Sequence, residues 1–188
     1  GSAVILPPPS MSGARVAQSL PLVWADFVQT ILKGALTGYV IGTAAAFFVA
    51  ILADRSPFLT KGILPVGAFM AALPIVGTAP IFVKWLGSDW QSKAAVVAVM
   101  VFFPILVNTV EGLRAARPFV FNGLKSATTL ALIGAIVAEF FGAPTVGMGF
   151  RISTSVGQLA LDMVWAEIVV AALAGSAFYG GMVLIERR

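Results

Sequence analysis

Five stretches of this chain run without a charged residue for long enough to cross, or nearly cross, a lipid bilayer: 34–53, 62–83, 94–110, 126–138 and 168–185. A crossing takes roughly 20 mostly apolar residues at a rise of ~1.5 Å each. The fourth window is short only because Lys125 and Glu139 bound it. With its apolar flanks it reads 119–142, and the two charges sit ~21 Å apart along a helix, near enough to the interfaces to snorkel. Composition agrees: hydrophobic residues make up 59% of the 188 and charged residues 11%, where a soluble domain carries ~25%. Twenty charged side chains cannot cover a soluble helical protein of this length. Backbone groups in hydrocarbon must be satisfied within each segment, so the windows are predicted to be helices. The expectation is an all-α, polytopic membrane helix bundle of about five spans.

The chain has no cysteine and no histidine. Disulfides, thiolate metal sites and Ser-His or Cys-His nucleophiles are excluded, and no metal or cofactor is expected. A net charge of +4 is too modest to suggest nucleic acid, and its placement says more than its size.

Residues 1–21 are read as a segment outside the membrane, with Leu6-Pro-Pro-Pro-Ser10 extended and Ser10 able to cap a helix after it. The membrane domain is then 22–188, with spans at about 22–53, 62–87, 92–113, 119–142 and 163–186. The first span begins with Asp26, Gln29, Thr30, Lys33 and Thr37 at helical spacing. That stripe faces either headgroups and water, or a partner or aqueous path. The second holds Pro65, Pro74 and Pro80 with Gly67 and Gly77, and is predicted to break near Pro74 or Pro80. Irregular backbone at membrane depth belongs against protein or a water-filled cavity. Pro74 and Pro80 are therefore candidates for lining a pathway, with a kinked packing helix as the bland reading. Residues 143–162 are polar, glycine-rich and do not span.

Basic residues orient the bundle. Arg55, Lys61, Arg114, Arg117, Lys125, Arg187 and Arg188 fall on one side, and Lys84, Lys93 and Arg151 on the other. The first side is expected to be cytoplasmic, C-terminus included. Glu111, Lys125, Glu139 and Glu167 are the ionisable groups within or at the later spans. Glu139 and Glu167 join the pathway candidates because a charge in hydrocarbon is costly, against the plainer reading that they lie near span ends. Asn108 is deeper, and is either a helix–helix hydrogen bond or a pathway contact. No ladder of such groups crosses the membrane, so no proton relay is expected.

Two segments carry a resemblance. Phe103-Pro-Ile-Leu-Val-Asn-Thr-Val-Glu-Gly-Leu-Arg114 and Leu130-Ala-Leu-Ile-Gly-Ala-Ile-Val-Ala-Glu-Phe-Phe-Gly142 resemble the membrane-spanning permease subunit of binding-protein-dependent ABC importers. The branch is the one serving nitrate, sulfonates, taurine and thiamine or riboflavin precursors. Leu6-Pro-Pro-Pro-Ser10, Gly147-Met-Gly149 and Leu184-Ile-Glu-Arg-Arg188 match in the same order, so the resemblance covers nearly the whole chain. It implies a type I importer fold in a bacterial inner membrane. Two permease copies, most simply a homodimer, would form the pathway. Cytoplasmic ATPase subunits would drive it, and an extracytoplasmic binding protein would deliver a small solute. The sequence has no phosphate-cradling Gly-x-x-x-x-Gly-Lys-Ser/Thr loop, so this chain is expected to be a membrane subunit and not an enzyme.

Two departures stand out. The family has a further span before the Pro-Pro-Pro-Ser loop. It also carries a cytoplasmic coupling segment where this sequence passes from Arg114 through Ala115-Ala116-Arg117-Pro118 into the next span. Residues are expected to be missing between 113 and 118. The alternatives are a permease-like subunit with a structural or regulatory role and no transport of its own, and a passive channel.

Overall fold

A computed structural model describes residues 7–71, 74–114, 117–142 and 145–187. These residues are helical nearly throughout, in the order α1 (Pro9–Gln18), α2 (Leu20–Phe27), a π-helical stretch (Val28–Leu36), α3 (Thr37–Asp54), α4 (Pro57–Ala71), α5 (Ile75–Leu86), α6 (Trp90–Arg114), α7 (Arg117–Phe141), α8 (Met148–Gly157) and α9 (Leu161–Glu186). Among the described residues, four helices are long and apolar enough to cross a membrane: Leu20–Asp54, which joins α2, the π stretch and α3, then Trp90–Leu113, Phe119–Phe141 and Leu161–Glu186.

The remaining expected span, 62–87, is two shorter helices. Pro74 is extended (φ −70°, ψ 116°) at the start of α5, so the chain breaks at the first of the two prolines the sequence nominated. Pro80 stays inside α5, as Pro65 does inside α4. Residues 72 and 73, and residues 115 and 116 where a missing segment was expected, lie outside the described residues.

Helix α6 is the centre of the bundle and packs most extensively on α7 and α3. Its Val97, Val101 and Ile105 recur every four residues, and all are buried. They meet rows of small residues at the same spacing: Gly38, Gly42, Ala46 and Ala50 on α3, and Ala127, Ala131 and Ala135 on α7. Rows four residues apart form ridges that interdigitate. Small residues let backbones close in where lipid supplies no hydrophobic drive between helices. A Cβ on Gly38 would come within 2.5 Å of the Ala94 carbonyl oxygen, and one on Gly42 equally near that of Ala98. The α3–α6 crossing therefore depends on both glycines.

One local expectation is corrected. The proline run is not extended up to Ser10: Pro9 already begins α1, with Pro8 extended ahead of it and Ser10 inside the helix, as suits proline in a first helical turn. Arg15 of α1 pairs with Asp162 at the start of α9 (3.3 Å). In the region 143–162, expected not to span, the described residues form the short helix α8 packed against α7 and α9, ahead of the start of α9 at Leu161.

Candidate functional site

Asp26, Gln29 and Thr30, read in the sequence as facing either water or a partner, are buried. Lys33 stays exposed. The π stretch accounts for part of this. The buried positions Asp26, Thr30, Gly34, Gly38, Gly42, Ala46 and Ala50 follow one another every four residues. In an α-helix that spacing overshoots a full turn by about 40° each time. An i→i+5 stretch widens the turn and holds the row nearer one face. The polar residues at its start thus stay in line with the glycines below them.

What they face is the segment from Gly147 to Arg151. Asp26 accepts a hydrogen bond from the Gly147 N–H (2.6 Å) and an ion pair from Arg151, with Nε at 2.7 Å and Nη2 at 3.3 Å. The Thr30 hydroxyl accepts from the Met148 N–H (2.7 Å) and donates to the Glu139 carboxylate, 2.9 Å from Oε1 and 3.0 Å from Oε2. Glu139 also accepts from the Gly149 N–H (2.7 Å). Three consecutive backbone N–H groups are therefore spent on side chains of the first span and of α7. Gly147 has φ +140°, and a Cβ there would lie 2.6 Å from the Glu139 carboxyl. Only glycine fits both the conformation and the space.

Lys93 of α6, also buried, donates its ammonium protons to the carbonyls of Ser88 and Gly142. It adds a positive charge near Glu139. Glu167 of α9 is fully buried and neither carboxyl oxygen meets a donor. Its neighbours are Asp26, directly beside it, with Arg151 and Glu139 acting through space. The network thus joins the first span, α6, α7, α8 and α9 at one end of the bundle. At its edge, Gln29 donates to the Asp89 carboxylate (3.1 Å). The Trp90 N–H, and after it the Gln29 amide, hold the Asp89 pKa below its ordinary value.

The five sequence candidates fall in different places. Glu139 and Glu167 are in the network. Asn108 donates to the Pro104 carbonyl within α6 (2.8 Å) and lies where α6 crosses Gly123 of α7. Pro74 marks the helix break, and Pro80 is exposed in α5. Sequence reasoning missed Arg151, Gly147 and Gly149 as partners of the acids. The available signal was Asp26 and Thr30 in register with the glycine row.

Among the described residues, no group of three or more acidic side chains is arranged to hold a metal ion. The network acts as a clamp: it fastens one segment onto the first span and α7, with the Asp26 and Glu139 carboxylates buried.

No protein-family model matches the chain. Several curated proteins do. The riboflavin transport system permease protein RibX of Chloroflexus aurantiacus is 29% identical, across 98% of this chain and 79% of that relative. The formylaminopyrimidine transport permease protein ThiX of Halalkalibacterium halodurans is 28% identical across 84% and 75%. The putative aliphatic sulfonates transport permease protein SsuC of Bacillus subtilis is 24% identical across 86% and 68%. These relatives are transport permeases, and the all-helical bundle with its apolar, span-length helices matches what the membrane-spanning permease subunit of an ABC importer requires. Its kinship is with transport permeases, which favours transport over a purely structural or regulatory role.

Proposed function

We propose that this permease forms the translocation pathway for a small solute of the kind its relatives carry, whether riboflavin, a pyrimidine precursor or a sulfonate. In this reading separate cytoplasmic ATPase subunits supply the energy and an extracytoplasmic binding protein delivers the solute. Two copies of the chain enclose the pathway in a bacterial inner membrane, with the C-terminus inside. The excess of Arg and Lys on the C-terminal side supports that orientation.

The observation that carries the reading is the break at Pro74, which interrupts one expected span while the other four are helices long enough to cross among the described residues; broken spans of this kind belong beside a pathway. Pro74 and Pro80 belong to the element that borders the pathway, and Asn108 serves helix packing. Glu139 and Glu167 act in gating or packing at the outward end and not in recognising solute charge, since Glu139 is 1% exposed with its donors supplied from within the protein. Alternation between two packings of the same helices would require the clamp to hold in one state and shift in the other.

The test is solute accumulation in vesicles holding the chain, its ATPase subunits and its binding protein. Accumulation that needs ATP supports the reading. Equilibration without ATP returns it to a passive channel, and failure to co-purify with any ATPase subunit returns it to a structural subunit.

The proposal includes residues missing between 113 and 118. The match to RibX runs over 214 positions, more than the 188 of this chain, so parts of that relative have no counterpart here. A rotating ATPase needs a cytoplasmic element to push, and a five-residue join provides none. Peptide mapping of the protein from its native cell settles the point. Leu113 and Phe119 in one peptide with the written order between them would overturn it.

A further inference from the structure

The break at Pro74 opens on a cavity of about 470 Å3 between α4, α5, α6 and α7. That size falls within the roughly 300–1,000 Å3 typical of small-molecule sites. We infer that this cavity takes the uncharged, planar aromatic ring of a solute, leaving any polar chain on that ring at the cavity's open side. The inference rests on the permease reading and narrows its substrate class.

The lining decides the chemistry. Phe82 of α5 and Phe103 of α6 offer ring faces and edges, and Met70 of α4 and Met100 of α6 offer polarizable sulfur, the partners that favour another aromatic ring. The described lining residues include no charged side chain and a single hydroxyl, Thr78, which bonds the Ile75 carbonyl (3.3 Å). Ile75, at the start of α5, also lines the cavity. Helix starts expose N–H groups that their own helix does not use, which suits a ring carbonyl or ring nitrogen. An oxyanion would lose its hydration here with no cation to replace it, and the partial charge of one helix start does not offset that loss.

A second, more polar cavity holds two guanidinium groups, those of Arg15 and Arg151. Both are already paired, with Asp162 and Asp26. It therefore offers no free cation to an oxyanion.

The experiment is a riboflavin fluorescence titration of the permease–ATPase complex in lipid nanodiscs. Three variants are compared: Val99→Trp, which fills the cavity from its open side; Phe103→Leu, which removes a ring at little cost in volume; and Leu173→Trp, on the exposed face of α9. Riboflavin is expected to bind, with affinity falling about tenfold or more in Val99→Trp, less in Phe103→Leu, and unchanged in Leu173→Trp. Excess taurine or bicarbonate should not displace it. Absence of riboflavin binding, equal affinity in Val99→Trp, displacement by taurine, or a lipid in the cavity that riboflavin cannot displace would each overturn the inference. ATP-driven uptake separates the two readings. Vesicles that accumulate taurine or bicarbonate but not riboflavin sink the cavity assignment and leave the importer standing. Riboflavin binding with the expected variant pattern, but no ATP-driven accumulation of any solute, leaves the site and sinks the importer.

Discussion

Two of the expected spans depart from regular α-helix among the described residues, and the two departures are treated in opposite ways. The π stretch at Val28–Leu36 lies beside a polar network in which Asp26, Thr30 and Glu139 meet Gly147, Met148, Gly149 and Arg151. The break at Pro74 faces a cavity lined by apolar side chains. The first irregularity is locked by charge-assisted hydrogen bonds, each roughly twice as strong as a neutral one. The second has no comparable clamp among the described residues. In the proposed reading the Pro74 element borders the pathway and must move or admit a solute, whereas an anchoring element must not, and the chemistry beside each break fits that division.

Mutations at the two places should therefore differ in kind. The largest effect is expected from Arg151→Met, which strands the buried Asp26 carboxylate without its guanidinium. Breaking a buried pair from one side costs about 3–5 kcal/mol. Thermal unfolding in detergent should show a sharp loss of stability, and a change near zero would mean that Asp26 is not desolvated. Gly147→Ala comes next. It combines an unfavourable φ with a clash against Glu139, and is expected to cost about 1–3 kcal/mol. Hydrogen exchange should rise along 147–151 while the α3–α6 contact stays protected.

Glu139→Gln keeps an oxygen acceptor for the Thr30 hydroxyl or the Gly149 N–H, but loses charge assistance, at about 1 kcal/mol. Folding should survive. Loss of complex assembly on size-exclusion chromatography would make Glu139 an assembly residue and contradict a gating role. On the other side of the comparison, Pro74→Ala should change stability by less than about 1 kcal/mol, and transport more than stability. A large drop in melting temperature would show that the break is as structural as the clamp.

The smallest effect belongs to pH. The Asp89 pKa is lowered by the Trp90 N–H and the Gln29 amide. Its contribution is present above the ordinary carboxylate pKa and is lost as pH falls through the lowered one. Wild type should lose slightly more stability than Gln29→Leu over that acid window, because the variant has already lost part of the bond. Parallel pH profiles for the two would remove Gln29 from the network.

The break at Pro74 was legible in the sequence because proline acts locally: it removes a donor and crowds the preceding turn wherever the chain goes. The helix α1 was less so, since three prolines in a row suggest extension and only packing against α9 shows the third as a helix start. Asp26 and Thr30 read as a stripe that could equally have faced water. Their burial depends on a segment more than a hundred residues away, and no local pattern reports which distant loop returns to cover a helix face.

By itself the sequence determined the membrane class, the span windows and the interruption of one span, because the transfer of some 20 consecutive apolar residues into lipid is a sum over neighbours. Only the tertiary structure decided that Asp26 pairs with Arg151, 125 positions along the chain, and Thr30 with Glu139, 109 positions along. A buried charge tolerates its position only when a partner meets it in the right geometry. That geometry exists once α2, α7 and the 147–151 segment have come together, and not before.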